Sequence, residues 1–200
     1  MKINKFFTIA GSMSSIVFII TFLTVSGLTP GYEHLKQPIS DLGENGAPYA
    51  ELMNVVGFVI PGILIAVLGY SLRTKFSGKT LKIISVLLII AGMGWAGIGF
   101  FPNFQDKTSA YHVMSTYLFG TSVVVATILL SREKQAWPWL RKFSIMTGLF
   151  LLTRIITGPL FLETEKYRGL VQKLYIAVFW LWIICINIFL IVKRKHYEKN

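Results

Sequence analysis

The chain is poor in cysteine, in charge and in histidine motifs. Cys185 is the one cysteine in 200 residues, which excludes an internal disulfide and a metal centre built from several thiolates. Charged residues make up 14% of the sequence, far below the roughly 25% of soluble domains. The three histidines form neither an HxxxH nor an HExxH motif. We therefore predict that the chain is not a soluble domain and that it holds no metal and no cofactor.

The chain contains long runs of apolar residues instead. Hydrophobic residues make up 54% of it, and the mean hydropathy is +0.61. A helix needs about 20 apolar residues to cross a bilayer, and the sequence contains six such runs. We predict transmembrane helices at residues 6–28, 52–72, 83–101, 111–130, 143–162 and 174–192. The predicted fold is all-α: one polytopic membrane domain of residues 1–200, built as a six-helix transmembrane bundle.

The basic residues are distributed unevenly along the chain. The net charge of +11 would suit a nucleic-acid-binding protein, but its distribution argues against a nucleic-acid partner. Fourteen of the 20 basic residues lie in the termini and in the connections at 73–82 and 131–142, and five lie in the other connections. Positively charged loops stay on the cytoplasmic side of a membrane. We therefore predict a multi-pass plasma-membrane protein with both termini in the cytoplasm; the sequence specifies no oligomeric state.

The connection after the first predicted helix is the most distinctive segment. This segment, loop one (residues 29–50), contains the heptapeptide QPISDLG at 37–43. Long polar loops tend to be functional or disordered, and the prolines and glycines of loop one favour an ordered path. Because apolar helices flank its polar groups, these groups need internal partners. We expect loop one to fold back over the bundle and to bring Ser40 and Asp41 near the start of the fourth helix.

Three outer segments supply the candidate site residues. Loop one, the start of the fourth helix and the outer part of the fifth helix lie at one membrane depth in the predicted topology. We predict Ser40, Asp41 and His112 as catalytic residues, and His34, Asp106, Ser115 and Arg154 as binding residues.

The catalytic interpretation assigns each residue a role. Ser40 or Ser115 would be the nucleophile, His112 its base, and Asp41 or Asp106 the group that orients the histidine. Histidine suits this role because it exchanges protons near neutral pH. The alternatives are structural: Ser40 and Asp41 would hold a turn through backbone hydrogen bonds, and His112 would bond a loop backbone. A zinc site of two histidines and a carboxylate has no supporting spacing.

Arg154 is the most informative single residue. It lies eight positions inside the predicted end of the fifth helix at residue 162, or about 12 Å along the helix axis. An arginine at that depth is expensive unless it is paired or hydrated, and it indicates a functional site by default. Asp41 is the favoured partner, and Asp106, Glu163 or a lipid phosphate are the alternatives.

The order of motifs resembles a known family. The segments ISDLG at 39–43 and GAP at 46–48, Asn54, and Phe101-Pro102 ahead of His112 resemble the domain-of-unknown-function 998 family of bacterial and archaeal membrane proteins. The resemblance covers nearly the whole chain and implies a six-helix integral membrane protein without an assigned biochemical role. The Ser-Asp-x-Gly element also resembles one in the DRAM-type and GPI-anchor-remodelling membrane proteins of eukaryotes, which implies lipid handling.

These observations favour a lipid-related function. We predict a protein that binds or modifies a lipid or lipid-linked substrate at the outer leaflet, by acyl hydrolysis or transfer if it is an enzyme. The alternatives are a non-enzymatic scaffold or assembly partner, and a small transporter. A transporter would need a polar stripe across the bilayer, whereas the inner halves of the predicted helices are almost wholly apolar. The sequence therefore favours a one-sided site, and it does not decide between enzyme and binding protein.

Overall fold

Six long helices make up the part of the protein that the structure describes. The computed structural model describes residues 5–76, 78–104, 109–160 and 166–197. The helices are α1 (Lys5–Leu28), α2 (Ala50–Lys75), α3 (Lys79–Phe100), α4 (Ala110–Arg132), α5 (Pro138–Leu160) and α6 (Arg168–Tyr197). The described residues contain one isolated β-bridge and no β-strand. The all-α prediction is therefore confirmed.

Five of the described helices are long and apolar enough to cross a membrane. These candidate spans are Ile9–Leu28, Ala50–Lys75, Lys79–Phe100, Ala110–Arg132 and Arg168–Val192. The prediction of a membrane-embedded helical protein is thereby confirmed. The α5 helix, which carries Arg154, is outside this set, so its crossing of the membrane stays a prediction. The orientation of the termini also stays a prediction.

The helices form a closed ring around an aromatic centre. Each helix packs against the next in sequence, and α6 returns to pack against α1. Trp95 of α3 lies at the centre, with its ring centroid 4.8 Å from that of Phe119 and 5.3 Å from that of Phe18. We call the set that surrounds and includes this indole the aromatic layer: Phe18, Phe58, Trp95, Phe119, Phe179 and Trp180. Five of the six helices contribute to it, so the aromatic layer joins these five helices through direct ring contacts.

Two helices begin five or six residues earlier than the sequence pattern predicted. The α5 helix begins at Pro138 rather than residue 143, because proline fits a first helical position where no N–H is needed. The α6 helix begins at Arg168 rather than residue 174. Its early amides have distant acceptors: the N–H of Gly169 donates to the carbonyl of Lys36 at 3.0 Å. Loop one therefore helps to extend α6.

The α2 helix widens into a π-helical turn at Met53–Val59. Pro61 follows this turn and has no backbone N–H, so the carbonyl of Gly57, four residues earlier, loses its α-helical donor. The indole Nε1–H of Trp95 points at that carbonyl at 3.4 Å. The Trp95 indole thus supplies a hydrogen-bond donor to the Gly57 carbonyl, which has lost its α-helical donor because of Pro61.

Glycines let α3 approach both neighbours closely. A Cβ atom at Gly92 would collide with the backbone oxygen of Gly62 in α2, and one at Gly94 would lie 2.6 Å from the backbone nitrogen of Phe119 in α4. Small residues permit such backbone contact in membrane bundles, where packing drives helix association. This close packing places the C-terminal end of α3 beside the N-terminal end of α4 at the candidate site.

Candidate functional site

Loop one lies across one end of the bundle and is fixed to three elements. Its 3₁₀ turn, Ile39–Gly43, has a buried hydrophobic side. The Asn54 side chain of α2 donates to the Gly43 carbonyl at 2.8 Å. The Gln172 side chain of α6 accepts from the Ile39 amide at 2.6 Å. The amide of Asn45 donates to a carbonyl in the α3–α4 connection at 2.9 Å. The QPISDLG segment therefore lies in an ordered path across this end of the bundle.

A lysine of α6 reinforces this attachment. The Lys173 ammonium donates to the carbonyls of His34 at 2.9 Å and Gln37 at 2.7 Å. The same nitrogen lies 5.1 Å from the ring centroid of Tyr32 and 5.9 Å from that of Phe22. Cations over aromatic faces are attracted by the ring quadrupole. Lys173 thus joins α6, α1 and loop one at a single point.

A cavity of about 390 Å³ lies beneath loop one. We call it the outer cavity, because the predicted topology places this end of the bundle outside. Its polar wall includes Ser40, Asn103, His112, Arg154, Arg168 and Gln172. Its apolar wall includes Phe58, Trp95, Phe119, Val123, Leu151 and Phe179. Four of these six apolar residues belong to the aromatic layer. Most of the polar wall lies in loop one or near the ends of the helices beneath it, whereas Arg154 lies six positions inside the end of α5, about as deep as Trp95 lies in α3. Ile39, Ile98 and Val113 add apolar surface near the helix ends, and Val123 and Phe179 line the cavity deeper in the bundle.

The electrostatics at the mouth of the cavity centre on loop one. Burial raises the pKa of the Asp41 carboxyl, whereas the positive charges of Arg168 and Lys173 and a side-chain hydrogen bond with Ser40 lower it. Desolvation also raises the pKa of Glu44, with the nearby Asp41 charge acting in the same direction and Arg168 against it. Both of these cations, Arg168 and Lys173, belong to α6.

The His112 ring is held by backbone carbonyls. Its Nδ1 lies 3.0 Å from the carbonyl oxygen of Phe101, and the carbonyl of Ile98 also interacts with the ring. A carbonyl can only accept, so Nδ1 carries a hydrogen. In the neutral ring Nε2 is then the basic nitrogen. The observed contacts fix the orientation of the ring against the end of α3.

The comparison with known proteins agrees with this architecture. A family model described as "Protein of unknown function (DUF998)" matches residues 12–188. The chain belongs to the DUF998 family. The family resemblance inferred from the motifs is confirmed, whereas the remoter likeness to DRAM-type proteins stays a prediction. No curated protein and no solved structure matches the chain.

Three predicted site residues of this DUF998 chain line one cavity. Ser40, His112 and Arg154 all contribute to the outer cavity, although they come from loop one, α4 and α5. Arg154 is half-buried there. Asp41 neighbours the cavity through Ser40 but is not among the lining residues. The shared cavity brings together residues of the predicted catalytic and binding sets, and their chemical roles stay predictions.

The other predicted residues lie elsewhere or outside the described residues. Ser115 is buried against α3, where a Cβ at Gly97 would lie 2.5 Å from its hydroxyl oxygen. His34 is exposed, with its ring 5.0 Å from that of Tyr32. Asp106 lies outside the described residues. Within the described ranges, no group of three histidine, cysteine, aspartate or glutamate side chains is placed to hold a metal ion.

The polar residues of the DUF998 cavity that sequence reasoning missed include Asn103, Arg168 and Gln172. Arg168 and Gln172 were assigned to a loop because the last helix was predicted to begin at residue 174. A helix extended by two turns would have placed residues 168, 172, 175 and 179 on one face. Asn103 follows a proline at the end of α3, and no sequence pattern distinguishes it from a capping residue.

Proposed function

We propose that this DUF998 protein binds a lipid-type amphiphile in the outer cavity. The head group would occupy the polar wall under loop one, and the chain would contact the aromatic layer. The observation that carries the proposal is the cavity itself, which combines charged and polar side chains, most of them near the helix ends, with apolar side chains that continue deeper into the bundle. The outward orientation of this end rests on the predicted topology.

The depth of the cavity supports a ligand from a single leaflet. His112 and Val123 on α4 both line it, and so do Arg168 and Phe179 on α6. Each pair is eleven positions apart, which corresponds to about 16 Å along a helix. Half of a hydrocarbon core is about 15 Å. A ligand spanning the cavity would therefore place one end at the head-group level and the other near the bilayer centre.

The size and the inner wall of the cavity also support binding over transport. A volume of about 390 Å³ falls within the roughly 300–1,000 Å³ of small-molecule sites. At the inner end stand bulky rings of the aromatic layer, including Trp95, which is 1% exposed, and Phe179, also 1% exposed. These packed rings lie in the path that a polar substrate would take across the bilayer.

Gly120 offers a direct test because its side of α4 faces the cavity. A Cβ added there would meet nothing closer than Ile155 at 3.8 Å, so a longer side chain can extend into the cavity without a backbone collision. Membranes containing the protein would be incubated with an alkyl probe that carries a mid-chain diazirine. After irradiation, cross-linked peptides would be identified by mass spectrometry. We expect labels on Val123, Leu151 or Phe179 and a several-fold loss of labelling in Gly120→Leu.

Gly27→Leu is the matched control. A Cβ at Gly27 on α1 would meet nothing within 4 Å, and both substitutions replace a helical glycine, with a similar gain in helix propensity. Labelling of Gly27→Leu should equal that of the unmodified protein. Equal labelling of both variants, or labels confined to lipid-facing residues such as Met114 and Leu174, would overturn the proposed function.

A further inference from the structure

The polar wall of the outer cavity is rich in hydrogen-bond donors. Two of its residues are arginines, Arg154 on α5 and Arg168 on α6. Among the described residues that line the cavity, none is an aspartate or a glutamate. A guanidinium carries five N–H donors and no acceptor. Two helices therefore contribute positively charged side chains to the wall.

The two amide side chains of the wall add donors. The Oδ1 atom of Asn103 accepts from the amide of Ser109 at 3.0 Å. The Oε1 atom of Gln172 accepts from the amide of Ile39 at 2.6 Å. Because a backbone N–H can only donate, these bonds fix which amide atom is the oxygen. Each side chain then has its NH₂ group as its remaining polar group, and that group can only donate.

We propose that the outer cavity recognises the phosphate group of its ligand through Arg154, Arg168, Asn103 and Gln172. This inference rests on the proposed function and names the head group of the amphiphile. A phosphate has tetrahedrally arranged oxygens that can accept from several directions, whereas a carboxylate has two oxygens in one plane. Donors here come from α5, from α6 and from the α3–α4 connection, which suits the tetrahedral group. Arginine also matches phosphate with two parallel bonds, which lysine cannot do.

Arg168 is the best position for a test because its own side chain is exposed. Asp41 and Glu44 lie within electrostatic reach of Arg168. A bound anion would therefore compete with these two carboxylates for the Arg168 guanidinium. Lys166 is an exposed neighbour that does not line the cavity. Arg168→Gln and Lys166→Gln each remove one positive charge from the same end of the protein. Only the first removes a donor of the wall.

The experiment is competition against the diazirine probe in alkyl maltoside micelles. The competitors share a dodecyl chain and carry a phosphate monoester, a carboxylate or a trimethylammonium head, and inorganic phosphate is tested alone. We expect dodecyl phosphate to compete at least tenfold better than the trimethylammonium compound and several-fold better than the carboxylate. Arg168→Gln should abolish this preference, Arg168→Lys should retain a smaller part of it, and Lys166→Gln should keep it. The tenfold expectation matches one charge-assisted hydrogen bond.

The remaining outcomes separate the two proposals. Equal competition by all three head groups would overturn phosphate recognition and leave amphiphile binding intact. Equal loss of preference in Arg168→Gln and Lys166→Gln would overturn the assignment to the wall, since it would reflect general surface charge. Failure of every dodecyl compound would overturn the proposed function. Competition by inorganic phosphate as strong as by dodecyl phosphate would support the oxyanion site and overturn the lipid as its ligand.

Discussion

Removing the Lys173 ammonium should loosen loop one from the bundle. Lys173→Met keeps the length and apolar character of the side chain and deletes its charge. The substitution removes short hydrogen bonds to the carbonyls of His34 and Gln37. It also removes the cation from its position near the rings of Tyr32 and Phe22. We expect a lower free energy of unfolding and faster hydrogen exchange in loop one.

The magnitude follows from the contacts. A hydrogen bond from a charged donor contributes about 1.5–3 kcal/mol, and an exposed cation–π contact about 0.5–1 kcal/mol. The carbonyl of Gln37 also accepts from the Tyr32 hydroxyl at 3.0 Å, and His34 is exposed to water, so neither carbonyl is left without a partner. Because such terms are not additive, we expect a net loss of about 2–4 kcal/mol.

Lys36→Met provides the control. Lys36 forms an ion pair with Glu33 at 2.7 Å, and both side chains are more than half exposed, at 55% and 59%. Exposed pairs of this kind contribute about 0–1 kcal/mol. Both variants would be unfolded in mixed micelles with increasing dodecyl sulfate, and exchange at the Ile39 and Gly169 amides would be followed in parallel. Losses that agree within about 0.5 kcal/mol, with equal exchange in loop one, would refute the reasoning.

Three further predictions follow from other features. The raised pKa of Asp41 means that its ionised form is disfavoured in the folded state. The free energy of unfolding should therefore rise as pH falls from neutral toward about 4, near the pKa of Asp41 in the unfolded state. Asp41→Asn should flatten that rise in pH-dependent unfolding, and an unchanged slope would contradict the prediction. Gly92→Ala forces a Cβ against the Gly62 carbonyl and should lower the unfolding free energy by about 1–3 kcal/mol, whereas Gly27→Ala should be neutral or slightly stabilising; equal effects in melting experiments would argue against the close contact. In a Cys185→Ala background, an impermeant thiol reagent added to intact cells should label Glu44→Cys and not Lys199→Cys, and labelling of position 199 would reverse the predicted topology.

Composition and run length predicted the helices because membrane helices satisfy their backbone bonds internally. Where a helix end depends on a distant partner, the prediction failed. The N–H groups of Gly169 and Leu170 are accepted by the carbonyls of Lys36 and Leu35, which lie more than 130 positions earlier in the sequence. No pattern within the last helix reveals that contact. Because of this error, Arg168 and Gln172, two of the donors on the cavity wall, were not predicted as site residues.

The sequence predicted which residues belong to the candidate site better than it predicted where their side chains point. The i, i+3, i+4 spacing of His112, Ser115 and Thr116 predicts that they share one face of α4. In the structure His112 and Thr116 line the outer cavity, whereas Ser115 is buried against Gly97 of α3. Neighbouring positions on a helix point about 100° apart, so a stripe broad enough to hold all three meets two different surroundings. Only the packing of α3 against α4 decides between them.

The π turn in α2 also shifts the phase of the helix's membrane-facing stripe. Leu52 and Val55 are exposed before and within the turn, at 40% and 46%, and Ile60 and Ile63 are exposed after it, at 37% and 55%. The step from 55 to 60 is five residues, whereas the steps on either side are three. A regular α-helix would continue the stripe three or four residues on. A cysteine-accessibility scan of α2 would therefore slip by one residue at the π turn, and a helical wheel drawn through the whole helix would assign one half to the wrong face.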